Sequence, residues 1–153
     1  MRNFFKTLLL AASLLSMQAL HAEPAISVDG AWVRAVPPNS KVTAAYMNIH
    51  NASDQAIDLI SGATEAFKTV ELHQTVFEGE MAKMVKQEKI TVPAQGTTAL
   101  KPGDYHIMLI GRQVDLKAGD TVELTLQFSD ETSQTLEIEV KQADMPAMKH
   151  HHH

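Results

Sequence analysis

Residues 97–128 read Thr97-Thr98-Ala99-Leu100-Lys101-Pro102-Gly103-Asp104-Tyr105-His106-Ile107-Met108-Leu109-Ile110-Gly111-Arg112-Gln113-Val114-Asp115-Leu116-Lys117-Ala118-Gly119-Asp120-Thr121-Val122-Glu123-Leu124-Thr125-Leu126-Gln127-Phe128. Three short runs of alternating or β-branched residues, Thr97–Leu100, Tyr105–Ile110 and Thr121–Phe128, are separated by the turn signals Lys101–Asp104 and Lys117–Asp120. Each turn carries a Gly-Asp pair, and neither leaves room for a helix. The same grammar extends outward. Further candidate strands are Ser27–Ala35, Ala44–His50, Ile57–Thr64, Lys68–Phe77, Met81–Val85 and Gln134–Lys141. Turn residues divide them at Pro37-Pro38-Asn39, Asn51–Asp54, Glu78-Gly79, Pro93–Gly96 and Ser129-Asp130. No stretch carries a helical stripe over three turns. Many short strands with turns at roughly ten-residue spacing predict one all-β domain, a sandwich or small barrel.

The two ends read differently from this middle. Residues 1–22 have the pattern of a secretory signal peptide: Arg2 and Lys6, then the apolar run Leu8–Leu15, then Ala19-Leu20-His21-Ala22 at the cut. The run falls short of the roughly 20 apolar residues that a membrane span needs. The mature chain is therefore expected to be exported, with no membrane insertion after cleavage, and to occupy residues 23–141 as its folded domain. Residues 142–153 read as a tail rich in methionine and histidine, with Met145, Met148 and His150–His153. Such a tail is a candidate Cu(II) ligand, and the competing reading is an expression tag. The formal charge of −5 becomes more negative once Arg2 and Lys6 are removed, which argues against nucleic acid and anionic membranes as partners. There is no cysteine, so any soft-metal site must be built without thiolates.

Histidine and methionine then become the residues to follow. Thioether and imidazole suit Cu(I), whereas Mg²⁺ and Ca²⁺ call for clustered oxygen ligands. His106 and Met108 lie two apart in one strand and share a face, with Tyr105, Ile107 and Leu109 on the core side. His73 shares its face with Glu71 and Thr75, opposite Val70, Leu72 and Val76, and is expected to look outward. A hairpin through Glu78-Gly79-Glu80 can return Met84 to His73's side. Met81, an odd number of positions away, falls on the other face. Taken singly, each methionine reads as core filler and each histidine as a solvated side chain. Trp32 reads as a large core anchor, Met47 as packing and His50 as surface.

Read together the four form His73-x10-Met84-x21-His106-x-Met108, a spacing that resembles the motif of the periplasmic copper chaperone family PCuAC. Ala31–Ala35, Ala44–Ile49, Val70–His73 and Leu100–Leu109 resemble the same family, and the likeness runs from about Ile26 to Lys141. Where some members carry a methionine directly after the first histidine, this chain has Gln74. The resemblance implies a cupredoxin-like, immunoglobulin-like β-sandwich that binds Cu(I) through His73, Met84, His106 and Met108. It implies a periplasmic chaperone, not an enzyme, delivering copper to a partner such as the Cu(A) centre of cytochrome c oxidase subunit II or another copper chaperone. A monomer is expected. Two other readings stay open: a periplasmic copper-buffering or resistance protein, and a metal-free β-sandwich interaction module. A blue-copper electron carrier is excluded by the missing cysteine, and no catalytic triad or carboxylate pair stands out.

Overall fold

A computed structural model describes residues 23–143 of the protein. Within them the chain forms ten strands and no helix. These are β1 (Ile26–Arg34), β2 (Val42–Asn51), β3 (Ile57–Ala63), β4 (Phe67–Glu78), β5 (Met81–Gln87), β6 (Ile90–Val92), β7 (Gly96–Leu100), β8 (Tyr105–Arg112), β9 (Thr121–Phe128) and β10 (Ser133–Lys141). The expected signal peptide, residues 1–22, and all but the first residues of the expected tail lie outside the described residues. The expected strands are present, and β6 is an addition: a three-residue run is too short to show alternation in sequence.

Hydrogen-bonded neighbours follow the order β5-β4-β8-β2-β1-β10-β9-β3-β6, with β7 paired to β2. Every pairing is antiparallel except β1 with β10, where Trp32, Val33 and Arg34 run alongside Glu139, Val140 and Lys141. That junction joins the layer β5-β4-β8-β2-β1 to the layer β10-β9-β3-β6. Strand β2 serves two neighbours on one edge: Val42–Ala45 pair with β8 and Met47–Asn51 with β7.

The core lies between the layers and follows the period-2 rule. Ala45, Met47, Ile49, Leu72, Ile107 and Leu109 from the first layer meet Leu59, Val122, Leu124, Leu126, Phe128 and Ile138 from the second. Met47 thus packs in the core as expected. Trp32 does not: it is half-buried on the opposite face of the first layer, packed at a tilt against Tyr46 with ring centroids 4.8 Å apart. The reason is parity, because Val33 takes the core position of β1 and pushes both its neighbours outward.

Two turns position the chemistry. Asp104 N–H donates to the Lys101 carbonyl at 3.0 Å across Pro102 and Gly103, and Gly103 has φ +84°. Pro at the second position and Gly with positive φ at the third define a type II turn, which sets β8 on its course two residues before His106. Gly79, φ +63°, opens the two-residue connection between the paired Glu78 and Met81. Glycine first in such a loop gives the tight hairpin that carries β5 back along β4.

Candidate metal centre

The register of β5, β4 and β8 brings the four sequence-distant residues onto one face. His73 and His106 are direct cross-strand partners, as are Glu71 and Met108. Met84 is the partner of Thr75, and Lys86 that of His73. Cross-strand partners share a face, and so do residues two apart. His73, Met84, His106 and Met108 therefore all project from the outer face of the first layer, with Met81 on the reverse. The imidazole rings of His73 and His106 lie 5.8 Å apart between centroids.

Burial divides the four. His106 is 2% exposed and Met108 9%. The side chain of His73 is 13% exposed, whereas Met84 is 62% exposed at the free edge of the layer. The outward face expected of His73 is observed, but neither histidine is solvated on it. Both sit on the outer face of the sheet, but His106 is flanked by His73 on one side and Tyr46 on the other, its ring 6.4 Å from the Tyr46 centroid. Tyr46 in turn packs between Trp32 and the Arg34 guanidinium, which lies 5.5 Å from its ring centre. Burial pushes the Tyr46 hydroxyl above its ordinary pKa. This aromatic cover on β1 and β2 closes one side of the site, and the open side is the β5 edge.

Hydrogen bonding assigns one free nitrogen to each ring. His106 Nδ1 lies 3.0 Å from the Asp104 carbonyl. A carbonyl only accepts, so Nδ1 carries the proton and Nε2 keeps its lone pair. The same carbonyl also accepts the Thr75 N–H at 3.1 Å, which ties β4 to the start of β8. His73 Nε2 donates to the Glu71 carboxylate at 2.8 Å, leaving Nδ1 bare. Lys86 donates to the other Glu71 oxygen at 3.2 Å. Those two bonds, His73's first, hold the Glu71 carboxyl below the usual carboxylate range. The two bare nitrogens, His73 Nδ1 and His106 Nε2, are buried without any partner. Leaving a buried polar atom unsatisfied costs about 1–3 kcal/mol, so two such atoms on adjacent rings are a feature to be explained.

His50 is the control within the same molecule. Its Nδ1 is 2.7 Å from Thr97 Oγ1 and its Nε2 2.7 Å from Asp29 Oδ2. Both nitrogens are engaged, which matches its reading as a surface residue. Among the described residues, no group of three or more His, Cys, Asp or Glu is placed to hold a metal ion.

The sequence singled out His73, His106, Met84 and Met108, and the strand register places all four on the outer face of the first layer. Sequence reasoning gave no role to Tyr46 and placed Trp32 in the core. The signal for their cover was present, since Trp32 and Tyr46 occupy the non-core parity of β1 and β2.

Known proteins bear on this arrangement. The family model described as "Putative lipoprotein LpqE-like" matches residues 26–140. A protein of Leifsonia xyli named "Putative lipoprotein Lxx21020" is 32% identical over 117 residues, 76% of this chain and 69% of that protein. The solution structure of CuI-DR1885 from Deinococcus radiodurans is 39% identical, with a TM-score of 0.65 over 88% of this chain and 87% of that one. The copper-bound PCuAC domain from PmoF2, at 22% identity, shares the fold with a TM-score of 0.69, covering 80% of this chain and 97% of that domain. The cupredoxin-like β-sandwich expected from the sequence is therefore the fold. By the extent of these matches the chain belongs to the LpqE-like family, which is the PCuAC family of its structural neighbours.

Proposed function

We propose that the protein is an exported copper chaperone that holds one Cu(I) with His73 Nδ1, His106 Nε2 and the thioethers of Met84 and Met108, and passes it to a partner at the β5 edge. The observation that carries this reading is the pair of buried, unpartnered imidazole nitrogens on neighbouring strands. A metal sits about 2 Å from an imidazole nitrogen, so two rings sharing one ion have centres about 5–6 Å apart. The observed 5.8 Å fits that span. Each ring's other nitrogen is held by an oxygen, which is how metal-ligating histidines are oriented.

The choice of copper over a harder ion follows from what surrounds the rings. With no cysteine in the chain and with the Glu71 carboxylate on this face already taken by His73 and Lys86, the soft donors left on it are the thioethers of Met84 and Met108. Two imidazoles and two thioethers are all neutral and suit a soft monovalent ion, while Zn²⁺ favours thiolate or carboxylate. A relative 39% identical to this chain has a structure named for its bound Cu(I), and PCuAC domains pass copper to partners.

Transfer follows from the uneven burial. Met84, on the exposed edge, is the ligand that an incoming donor replaces first, and His106 is the last to let go. The recipient we assign is a copper-accepting protein such as the Cu(A) centre of cytochrome c oxidase. The location is the periplasm, supported by lipoprotein relatives. No described helix is long and apolar enough to cross a membrane. The family and fold are those of a chaperone rather than an enzyme. The Met/His-rich tail, residues 142–153, is assigned an auxiliary Cu(II)-binding role, which truncation after Lys141 tests by its loss of Cu(II) stoichiometry.

The test of the main site is an anaerobic Cu(I) titration against a chelator competitor, with wild type beside Met84→Ala and His106→Ala. The expected result is one tight equivalent for wild type and at least about tenfold weaker binding for each variant, the scale seen even for residues one step removed from a metal. Equal affinity in all three proteins removes these residues from the site.

A further inference from the structure

We propose that Glu71 is a positioning residue for copper capture: its carboxylate, tethered by Lys86, fixes the His73 ring with Nδ1 free for the metal. The inference rests on the copper-site reading above and adds a residue to it. Glu71 lies two residues before His73 on β4, on the same face, and is the cross-strand partner of Met108. One carboxylate oxygen accepts from His73 Nε2 at 2.8 Å and the other from Lys86 Nζ at 3.2 Å. Lys86 stands on β5 directly opposite His73, two residues from Met84 and on the same face. The chain Lys86–Glu71–His73 therefore spans two of the strands that carry proposed ligands. It ties β5, the exposed edge, to the ring that β4 supplies.

The chemical content lies in which way the donors point. A carboxylate only accepts, so it forces the proton onto Nε2 and leaves Nδ1 bare. Glutamine has the same shape but one oxygen and one NH₂. In Glu71→Gln the Lys86 ammonium, which only donates, takes the amide oxygen. The amide NH₂ then faces His73 Nε2 and donates to it. Nε2 must now be the bare nitrogen and Nδ1 the protonated one, so the atom that should meet copper is blocked. Removing Lys86 as well frees the amide to rotate its oxygen back toward Nε2–H. A pairing that served only to hold β4 and β5 together would behave in the opposite way, with the second mutation adding to the damage of the first.

The experiment reads the His73 tautomer directly by nitrogen-15 NMR of the imidazole in the copper-free protein, then Cu(I) affinity by chelator competition, for wild type, Glu71→Gln and Glu71→Gln/Lys86→Ala. The expected pattern is an Nε2–H ring in wild type, an Nδ1–H ring with affinity about 10–100-fold weaker in the single variant, and recovery of both in the double variant. An unchanged Nε2–H ring in Glu71→Gln, or a double variant no better than the single, overturns the role of Glu71. Because the tautomer is read without copper, that outcome is separable from failure of the copper site, which would show as wild type that binds no Cu(I).

Discussion

At the scale of single residues, three of the four proposed ligands, His73, His106 and Met108, are buried or nearly so, and only Met84 stands exposed. Met108 is 9% exposed and Met84 62%. Replacing a buried methionine by alanine removes packing and costs about 2 kcal/mol or more, while an exposed change away from caps and cores stays within about 0.5 kcal/mol. Chemical denaturation of the copper-free protein is expected to show Met108→Ala clearly destabilised and Met84→Ala close to wild type, although both weaken Cu(I) binding. Equal destabilisation of the two would contradict the placement of Met84 on an open edge. The shared face of these residues was legible in the spacing, since a period of two fixes parity within β8 and the short hairpin fixes it between β4 and β5. The burial of His106 was not legible. It depends on Tyr46 and Trp32, which arrive from β2 and β1, strands more than 50 residues away. Glu71 lay on His73's face by the same parity, but sequence could not say that its carboxylate turns back onto Nε2.

At the scale of elements, register does the gathering, and small polar clips hold the register. Asp58 on β3 is one such clip. Its carboxylate accepts from Lys89 at 2.8 Å and from Thr91 on β6 at 2.7 Å, while its backbone N–H donates to Ser129 Oγ at 2.9 Å. The Lys89 hydrogen bond first, and the Thr91 hydroxyl second, hold this carboxyl below its ordinary pKa. The folded protein therefore keeps Asp58 ionised at a pH where the unfolded chain has begun to bind the proton. Its contribution is complete above the ordinary carboxylate range and disappears as pH falls through the folded value. Urea unfolding of wild type and Asp58→Asn should show a stability gap at neutral pH that narrows progressively as pH falls below the ordinary carboxylate range. A gap that persists or widens on acidification would contradict the assignment. The clip also explains why β6 escaped sequence reading. Ile90–Val92 has only three residues and is followed by Pro93, so it shows no pattern of its own. It becomes a strand because β3 and Asp58 provide its partners.

At the scale of the whole molecule, the sandwich separates stability from chemistry. The apolar residues of both layers face inward, where Leu124, Leu126, Ile107 and Leu109 are fully buried. The proposed ligands occupy the outer face of one layer, so the site can change occupancy without disturbing the core. That division followed from strand alternation, which is why the fold class and the ligand face were both readable from one sequence. The parallel β1–β10 junction was not readable, because it joins strands about a hundred positions apart with no turn to announce it. The most direct test of the central claim is an anaerobic titration of the protein with Cu(I), followed by NMR of histidine ring nitrogens and methionine methyl groups. The account predicts that one equivalent shifts His73 Nδ1, His106 Nε2 and the methyls of Met84 and Met108, and leaves His50, Met47 and Met81 in place. Saturation of the protein with His73 and His106 unmoved, or with His50 responding in their stead, would contradict it.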